Sequence, residues 1–159
     1  MASVTFITVG TLKESYLKEA VAEYKKRITQ YAKVEEVELR EEKITDEDNP
    51  REVSGALERE ADKLLSAIPK GAYTVALCVE GKQYSSEELA AIVGEACDAS
   101  GKIAFIIGSS HGLSPRVKAA ADLRLSFSKL TFPHQLMRAV LYEAVYRSFT
   151  ILAGKRYHK

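Results

Sequence analysis

A mostly parallel α/β sheet flanked by helices is the fold class that the sequence predicts, and three features predict it. Short apolar runs rich in β-branched residues, at 2–9, 73–79 and 102–107, alternate with longer segments whose apolar residues recur at helical spacing. The two later runs are almost wholly apolar, as central parallel strands covered on both faces must be. No repeat, low-complexity tract or linker divides the chain, so its 159 residues are expected to form one domain.

Each element has a local reason. Ala2–Val9 reads as a buried strand that Gly10 ends. Lys13–Gln30 follows as a helix, since Leu12, Tyr16, Leu17, Ala20, Val21, Tyr24 and Ile28 recur at helical spacing. Lys33–Arg40 alternates imperfectly through Val34, Val37 and Leu39 and reads as a second strand. Glu41–Pro50 is charged, has no apolar anchor and is the expected mobile segment. Arg51–Ile68 is an amphipathic helix closed by Pro69-Lys70-Gly71. Tyr73–Val79 is a strand that Glu80-Gly81-Lys82-Gln83 ends. Ser85 or Ser86 caps the next helix, which runs to about Ala99. Glu87 and Glu88 lie in its first turn, where the macrodipole favours anions. After the strand Lys102–Ile107, Ser114 and Pro115 supply an N-cap and a first-turn proline. Leu123–Phe127 is a last short strand, and Pro133 opens a helix reaching about Ala153, with Gly154 beyond its end.

Bulk properties narrow the classes of function. A chain of this size buries about 70% of its unfolded surface and needs no disulfide or metal staple. No apolar run reaches the roughly 18 residues of a membrane span. The N-terminus has no basic region before its apolar residues and reads as a first strand, not a secretory signal. Cys78 and Cys97 fall inside a strand and a helix with no CxxC or Cys/His cluster, so free thiols in a reducing cytosol are expected and a zinc site is not. The net charge of +1 hides a split. Residues 101–159 hold 10 Lys and Arg against 2 Asp and Glu, whereas residues 1–100 hold 13 against 20. Such asymmetry suggests a polyanionic partner for the basic half, or a solvated basic face.

In an open parallel sheet ligands sit beyond the carboxyl ends of the strands, so the segments after Val79, Ile107 and Phe127 are the candidates. Gly108-Ser109-Ser110-His111-Gly112 fits G-x-S-x-G, with Ser110 as the nominal nucleophile and Asp122 and His134 or His158 following it in the order of an α/β-hydrolase. Against that reading, the helix begins several residues later at Ser114-Pro115, the chain is short for the fold, and no HGGG-type segment lies upstream. The other reading is close backbone approach, with Gly108 admitting a ligand to the main chain and Gly112 taking positive φ. No G-x-G-x-x-G follows the first strand and no P-loop lysine motif occurs. Phe127–Phe132 contains no Gly, Asn or Asp and reads as a packed connection, not a free turn. The last helix is apolar around much of its circumference, which fits either deep packing or a partner subunit. Arg138 and Arg147 on it are candidate anion contacts. By composition alone the tail Gly154–Lys159 is a frayed basic end.

Several of these segments together resemble a known family. They are Ile106-Ile107-Gly108 with His111-Gly112-Leu113-Ser114, the run from Leu125 to Arg138, Glu143-Ala144-Val145-Tyr146-Arg147, and Tyr157-His158-Lys159. They resemble the ribosomal large-subunit RNA pseudouridine N3-methyltransferases, small members of the SPOUT class. Val9-Gly10 and Glu80-Gly81-Lys82 fit as well, and the likeness spans essentially the whole chain.

The resemblance implies one minimal SPOUT domain over 1–159, with a C-terminal deep trefoil knot over roughly 73–159 and a homodimer packed through the knot. It implies S-adenosyl-L-methionine bound in a bent form, held largely by backbone. The implied cofactor-binding residues are Leu77, Gly108, Phe127, Ser128, Lys129, Leu130, Thr131 and Phe132. The implied reaction is methyl transfer to N3 of a pseudouridine in 23S rRNA, with the assembled ribosome as substrate and no metal or membrane involved. Tyr157 and His158, from the tail of the second subunit, are expected to complete the pocket. His158 would accept the imide proton, and Arg138 would orient RNA or stabilise the anionic base. A cytoplasmic location follows from that substrate. One departure is Gly108-Ser109 where the family commonly has Gly-Gly; the serine is tolerable only if it keeps negative φ. The rival readings are a serine hydrolase using Ser110 and a non-catalytic RNA- or ribosome-binding module.

Overall fold

The computed structural model describes all residues from Met1 to Lys159. In chain order the elements are β1 (Ala2–Val9), α1 (Ser15–Ile28), β2 (Ala32–Leu39), α2 (Pro50–Ala67), β3 (Tyr73–Lys82), α3 (Ser86–Ser100), β4 (Lys102–Ile107), α4 (Pro115–Ala120), β5 (Leu123–Leu125) and α5 (His134–Leu152). The strands form one sheet in the order β2-β1-β4-β3-β5, and every pairing is parallel. All five carboxyl ends therefore lie along the same edge, which is where loops from distant parts of the chain converge.

Strand alternation sorts the core into two layers. Val4, Phe6, Ile103, Phe105 and Ile107 face one side and pack with α1, α3 and α5. Ile7, Val9, Ala104 and Ile106 face the other, against Ala61 and Leu64 of α2 and Val117 of α4. β4 and most of β1 are buried on both sides, which accounts for the unbroken apolar run of β4 after Lys102, while β1 also buries Thr5 and Thr8. Ser85 and Glu88 form a reciprocal capping box at the start of α3, and Gly101 ends that helix in the left-handed region.

The first layer is organised around Tyr142 of α5. Its ring stacks on Phe6 with centroids 3.8 Å apart, and Phe6 in turn stacks on Phe105 at 5.8 Å. The Tyr142 hydroxyl donates to Glu36 Oε2 at 2.6 Å, and Lys25 reaches the same carboxylate at 2.6 Å. One turn earlier Arg138 donates to Glu38 Oε2 at 2.8 Å and to the Gly10 carbonyl at 2.9 Å. Thus α5 is fastened to the carboxyl halves of β1 and β2 by charged and aromatic contacts as well as apolar burial.

Three expectations shift. β3 continues past Val79 to Lys82 through an irregularity, after which Lys82 again pairs with Leu125. β5 stops at Leu125, where the Ser126 N–H makes the last bond to β3 by donating to the Lys82 carbonyl at 2.9 Å. A methyl group on Gly81 would stand 2.7 Å from the Arg124 carbonyl oxygen, so glycine is what lets the two strands meet there. The segment between Leu39 and Pro50 has no regular structure, but it is tied down. The Glu42 N–H donates to Glu60 at 2.9 Å, and the Glu42 carboxylate pairs with Lys63 at 2.7 Å.

Replacing Tyr142 with Phe keeps the stack and removes one bond to a carboxylate. Urea unfolding should show a loss of about 1–2 kcal/mol. Tyr142→Ala also empties the ring site, and its loss should rise to about 3–5 kcal/mol.

Candidate functional site

A cavity of about 730 Å³ opens at the carboxyl edge of β3, β4 and β5. Three chain segments build it: Leu77–Glu80 of β3, Ile107–Leu113 after β4, and Leu125–His134 after β5, with Lys118 of α4 and Met137 of α5 at its sides. The volume falls within the range of roughly 300–1,000 Å³ usual for cofactor-sized ligands.

The Ile107–Leu113 wall is a tight backbone loop. The Gly112 N–H donates to the Ser109 carbonyl at 2.9 Å, and Gly112 sits at φ +88°. A Cβ on Gly108 would lie 2.3 Å from the Gly112 carbonyl oxygen, so no side chain fits at position 108. Here glycine serves close approach at 108 and positive φ at 112, as the sequence suggests. Ser109 is buried and does not take positive φ, so serine is tolerated there without backbone strain. The Leu125–His134 wall is held by its own hydroxyls. Ser126 Oγ donates to the Ser128 carbonyl at 3.0 Å, and the Leu130 N–H donates to Ser128 Oγ at 3.0 Å. Local serine bonds therefore replace the turn chemistry that the segment lacks.

Several ionisable groups surround the cavity. Lys118 pairs with Glu80, which lowers the carboxyl pKa of Glu80. His111 faces Glu47 across 3.6 Å. Burial lowers the pKa of His134 below its ordinary value, the nearby Arg138 and Lys13 add to that, and Glu41 opposes it. Behind the Ile107–Leu113 loop lies Glu60, 3% exposed. Its Oε2 accepts from the Glu42 N–H, while Oε1 has no partner, and burial pushes its carboxyl pKa up.

Of the residues expected to hold the cofactor, Leu77, Gly108, Phe127, Ser128, Leu130, Thr131 and Phe132 all line this one cavity. Lys129 is exposed and is not part of the lining. The three expected catalytic residues lie elsewhere in the single chain. Tyr157 donates to Glu143 Oε1 at 2.9 Å, with Arg147 over its ring at 4.7 Å. Its burial, and then its bond to Glu143, raise the phenol pKa. The two ring nitrogens of His158 meet Glu87 Oε1 at 2.7 Å and Arg147 Nη1 at 3.1 Å. Arg138 is 4% exposed and engaged with Glu38 and Gly10.

Ser110 lacks the setting of an elbow nucleophile. Its hydroxyl faces Glu41 at 3.5 Å, Asp122 accepts from the Thr74 N–H at 2.8 Å, and α4 begins at Pro115 under the Ser114 cap. No relay of acid and histidine serves it. The basic excess of the C-terminal half is also partly internal. Arg116, Lys118, Arg138 and Arg147 close ion pairs with Glu58, Glu80, Glu38 and Glu143. Arg124, Lys129, Lys155, Arg156 and Lys159 have no carboxylate partner.

Sequence reading passed over Ser126, Lys118, Met137 and His134 as lining residues. For Ser126 and His134 a signal existed, since both flank the Phe127–Phe132 run within a loop that follows a strand. For Lys118 and Met137 there was none, because only helix orientation brings them to the cavity.

Comparison with known proteins gives matches along nearly the whole chain. The family model described as "Predicted SPOUT methyltransferase" matches residues 2–158. The ribosomal RNA large subunit methyltransferase H of Caldicellulosiruptor saccharolyticus is 47% identical over 156 residues, covering 98% of this chain and 99% of the relative. The protein of the same name from Bacillus pumilus is 46% identical over 158 residues, covering 99% of each. Among solved structures, the Probable Methyltransferase from Bordetella pertussis Tohama I aligns at a TM-score of 0.57 and 16% identity, over 92% of this chain and 93% of that one. A probable methylase family protein from Haemophilus influenzae Rd KW20 aligns at 0.52 and 9% identity, over 99% and 70%. At those identities the two structures speak to the fold alone.

Two outcomes test the cavity. Gly108→Ala must push the loop apart at Gly112, and it should lower stability by about 1–3 kcal/mol and abolish ligand binding measured by calorimetry. Glu60 has a raised folded pKa, so its ionisation costs stability as pH rises from the unfolded pKa toward the folded one. Glu60→Gln should therefore be more stable than the wild type at pH 7 in urea titrations, with the difference vanishing below about pH 4.

Proposed function

The chain belongs to the SPOUT methyltransferase family, and on that premise we propose that it transfers a methyl group from S-adenosyl-L-methionine to N3 of a pseudouridine in 23S rRNA. One observation carries the reading: seven of the eight residues expected around the cofactor come from three separate segments and line a single cavity of suitable size. The relatives that share nearly half of its residues across its length carry ribosomal RNA large-subunit methyltransferase names.

The residues present fit the group. The adenosyl moiety is flat and largely apolar, and it needs narrow walls that offer peptide donors and acceptors. Gly108 and Gly112 keep one wall free of side chains, and Leu77, Phe127, Leu130 and Phe132 supply apolar surface. When bound, the sulfonium supplies an electrophilic methyl carbon. What the protein then contributes is alignment of the acceptor nitrogen and a place for its proton.

The catalytic assignment extends to a second subunit. In the homodimer of this reading, the tail of the other copy brings Tyr157 and His158 to the mouth of the cavity. Within one chain, Glu143, Arg147 and Glu87 already hold that tail in a defined shape. Arg138 contributes from behind the cavity by fixing the first turns of α5 against Gly10 and Glu38. The unpaired cations near β5 and in the tail, Arg124, Lys129, Lys155, Arg156 and Lys159, provide the phosphate contacts. A domain this small has little area with which to grip a long RNA, so the assembled ribosome is the proposed substrate. The location is cytoplasmic in this reading, and no helix is long and apolar enough to cross a membrane. The domain is taken as a single unit over 1–159, with the knot at roughly 73–159.

Deleting Tyr157–Lys159 tests the tail. Methylation of ribosomes by labelled cofactor should fall by about 100-fold or more with cofactor affinity kept. Undiminished transfer by a folded deletion variant would sink the tail assignment. Calorimetry that detects no S-adenosyl-L-methionine binding to the wild type would favour a non-catalytic ribosome-binding module. Affinity for ribosomes should also fall steeply between roughly 50 and 200 mM salt, by a slope that Lys129→Ala or Arg156→Ala each makes shallower.

A further inference from the structure

We infer that His134, in the chain whose cavity holds the methyl donor, accepts the proton that leaves the acceptor nitrogen. The inference rests on the methyl-transfer reading above and assigns a base within it.

The chain has three histidines, and their surroundings differ. His158 has both ring nitrogens engaged, with Glu87 and with Arg147. His111 is turned toward Glu47 at 3.6 Å. His134 lines the cavity, and neither of its ring nitrogens has a hydrogen-bond partner in the protein. A neutral imidazole without an internal partner has a lone pair to offer a ligand.

The ring is free, but the backbone that carries it is not. His134 is the first residue of α5 and follows Pro133, whose φ is −54°. The next residue, Gln135, accepts the Lys13 N–H through Oε1 at 3.0 Å, which ties this turn to the segment after β1. One turn on, Arg138 grips the Gly10 carbonyl at 2.9 Å. Gly10 takes φ +94°, which favours glycine, and a Cβ there would make ordinary contacts 3.6 Å from His134 Nε2 and 3.7 Å from Glu41 Oε2, so imidazole and carboxylate border the same space. The ring is thus delivered to the cavity from a helix end fastened at two points.

Its electrostatic setting favours the neutral form. Pro133 gives α5 no side-chain cap, so the positive end of the helix dipole meets the ring undiminished. Burial is the main cause that lowers the ring's pKa, Glu41 opposes it, and Arg138 and Lys13 add positive charge. On the cavity side, Lys118 and Glu80 neutralise one another. A base that is already neutral at pH 7 can act without first losing a proton.

The step balances. The N3–H bond breaks and its proton passes to the imidazole. The N3 electron pair forms the bond to the methyl carbon, and the carbon–sulfur pair leaves with sulfur as the neutral thioether. His134 then returns its proton to solvent at the cavity mouth.

The test uses the full-length protein, ribosomes lacking the modification, and S-adenosyl-L-methionine labelled in the methyl group. His134→Gln should bind the cofactor within about threefold of the wild type by calorimetry, with kcat at pH 7 lowered about 100-fold. The pH dependence separates a base from a structural residue. The wild type should level off above the imidazole pKa. His134→Gln should keep rising with pH, because only substrate already ionised can react, and its deficit should narrow. His158→Gln, whatever its rate, should keep a pH profile that levels off as the wild type does. In the free protein the His134 ring signal, identified by its absence from His134→Gln, should titrate below pH 6.5. A midpoint above pH 7, a His134→Gln variant within threefold of wild-type kcat, or a loss that tracks cofactor affinity would each overturn the assignment. Failure of the wild type to methylate ribosomes at any pH would overturn the methyl-transfer reading, and the role of the imidazole with it.

Discussion

The site depends on how α5 is fixed against the sheet. Tyr142 and Arg138 lie one turn apart and reach Glu36, Glu38 and the Gly10 carbonyl at the carboxyl ends of β1 and β2. These bonds are charge-assisted; their donors, Tyr142 and Arg138, are buried while the Glu36 and Glu38 carboxylates stay partly exposed, so removing a carboxylate leaves a buried donor without its partner. They set the rotation and depth of the helix more sharply than the apolar layer beneath it could, since hydrophobic burial has no direction. The first turn of α5 forms one wall of the cavity, so the position of that wall follows from contacts made behind it.

A second constraint acts at the loop after β4. The chain turns back on itself so closely that Gly108 and the Gly112 carbonyl share the space a methyl group would take. Such a loop presents main chain where most loops present side chains. Facing it, the segment after β5 holds its shape through Ser126 and Ser128, which bond to their own backbone. Two walls with fixed backbones and a floor from β3 make a preformed cleft, and little ordering remains to be done when a ligand enters.

Charge shows how far composition can mislead. The surplus of lysine and arginine after residue 100 looks like a binding face for a polyanion. Yet Arg116, Lys118 and Arg138 are matched by acids of the first hundred residues, across the sheet or between helices. Part of the asymmetry along the chain is therefore a pattern of internal pairing. Apart from Lys102 at the start of β4, the cations left over gather near β5 and the tail, a smaller set than the count suggests. The tail is likewise more ordered than a basic end should be, because Tyr157 finds Tyr146, Arg147 and Glu143 on α5.

Sequence alone determined the elements and their order. Periodicity, capping residues and apolar runs act over a few neighbouring residues, and β1 and β4 match their expected bounds while the helices differ by a residue or two at their ends. The motif from Leu125 to Arg138 also supplies nearly half of the cavity lining. Tertiary structure decided the rest. The extension of β3 to Lys82, the end of β5 at Leu125, the burial of Arg138 and the exposure of Lys129 all depend on partners distant in the chain. So does the contrast between His134, unpartnered at the cavity, and His158, engaged on both ring nitrogens. Local patterns record what a residue prefers, but whether a guanidinium or imidazole meets a carboxylate, a carbonyl or an open cleft depends on which segments the fold brings within about 3 Å.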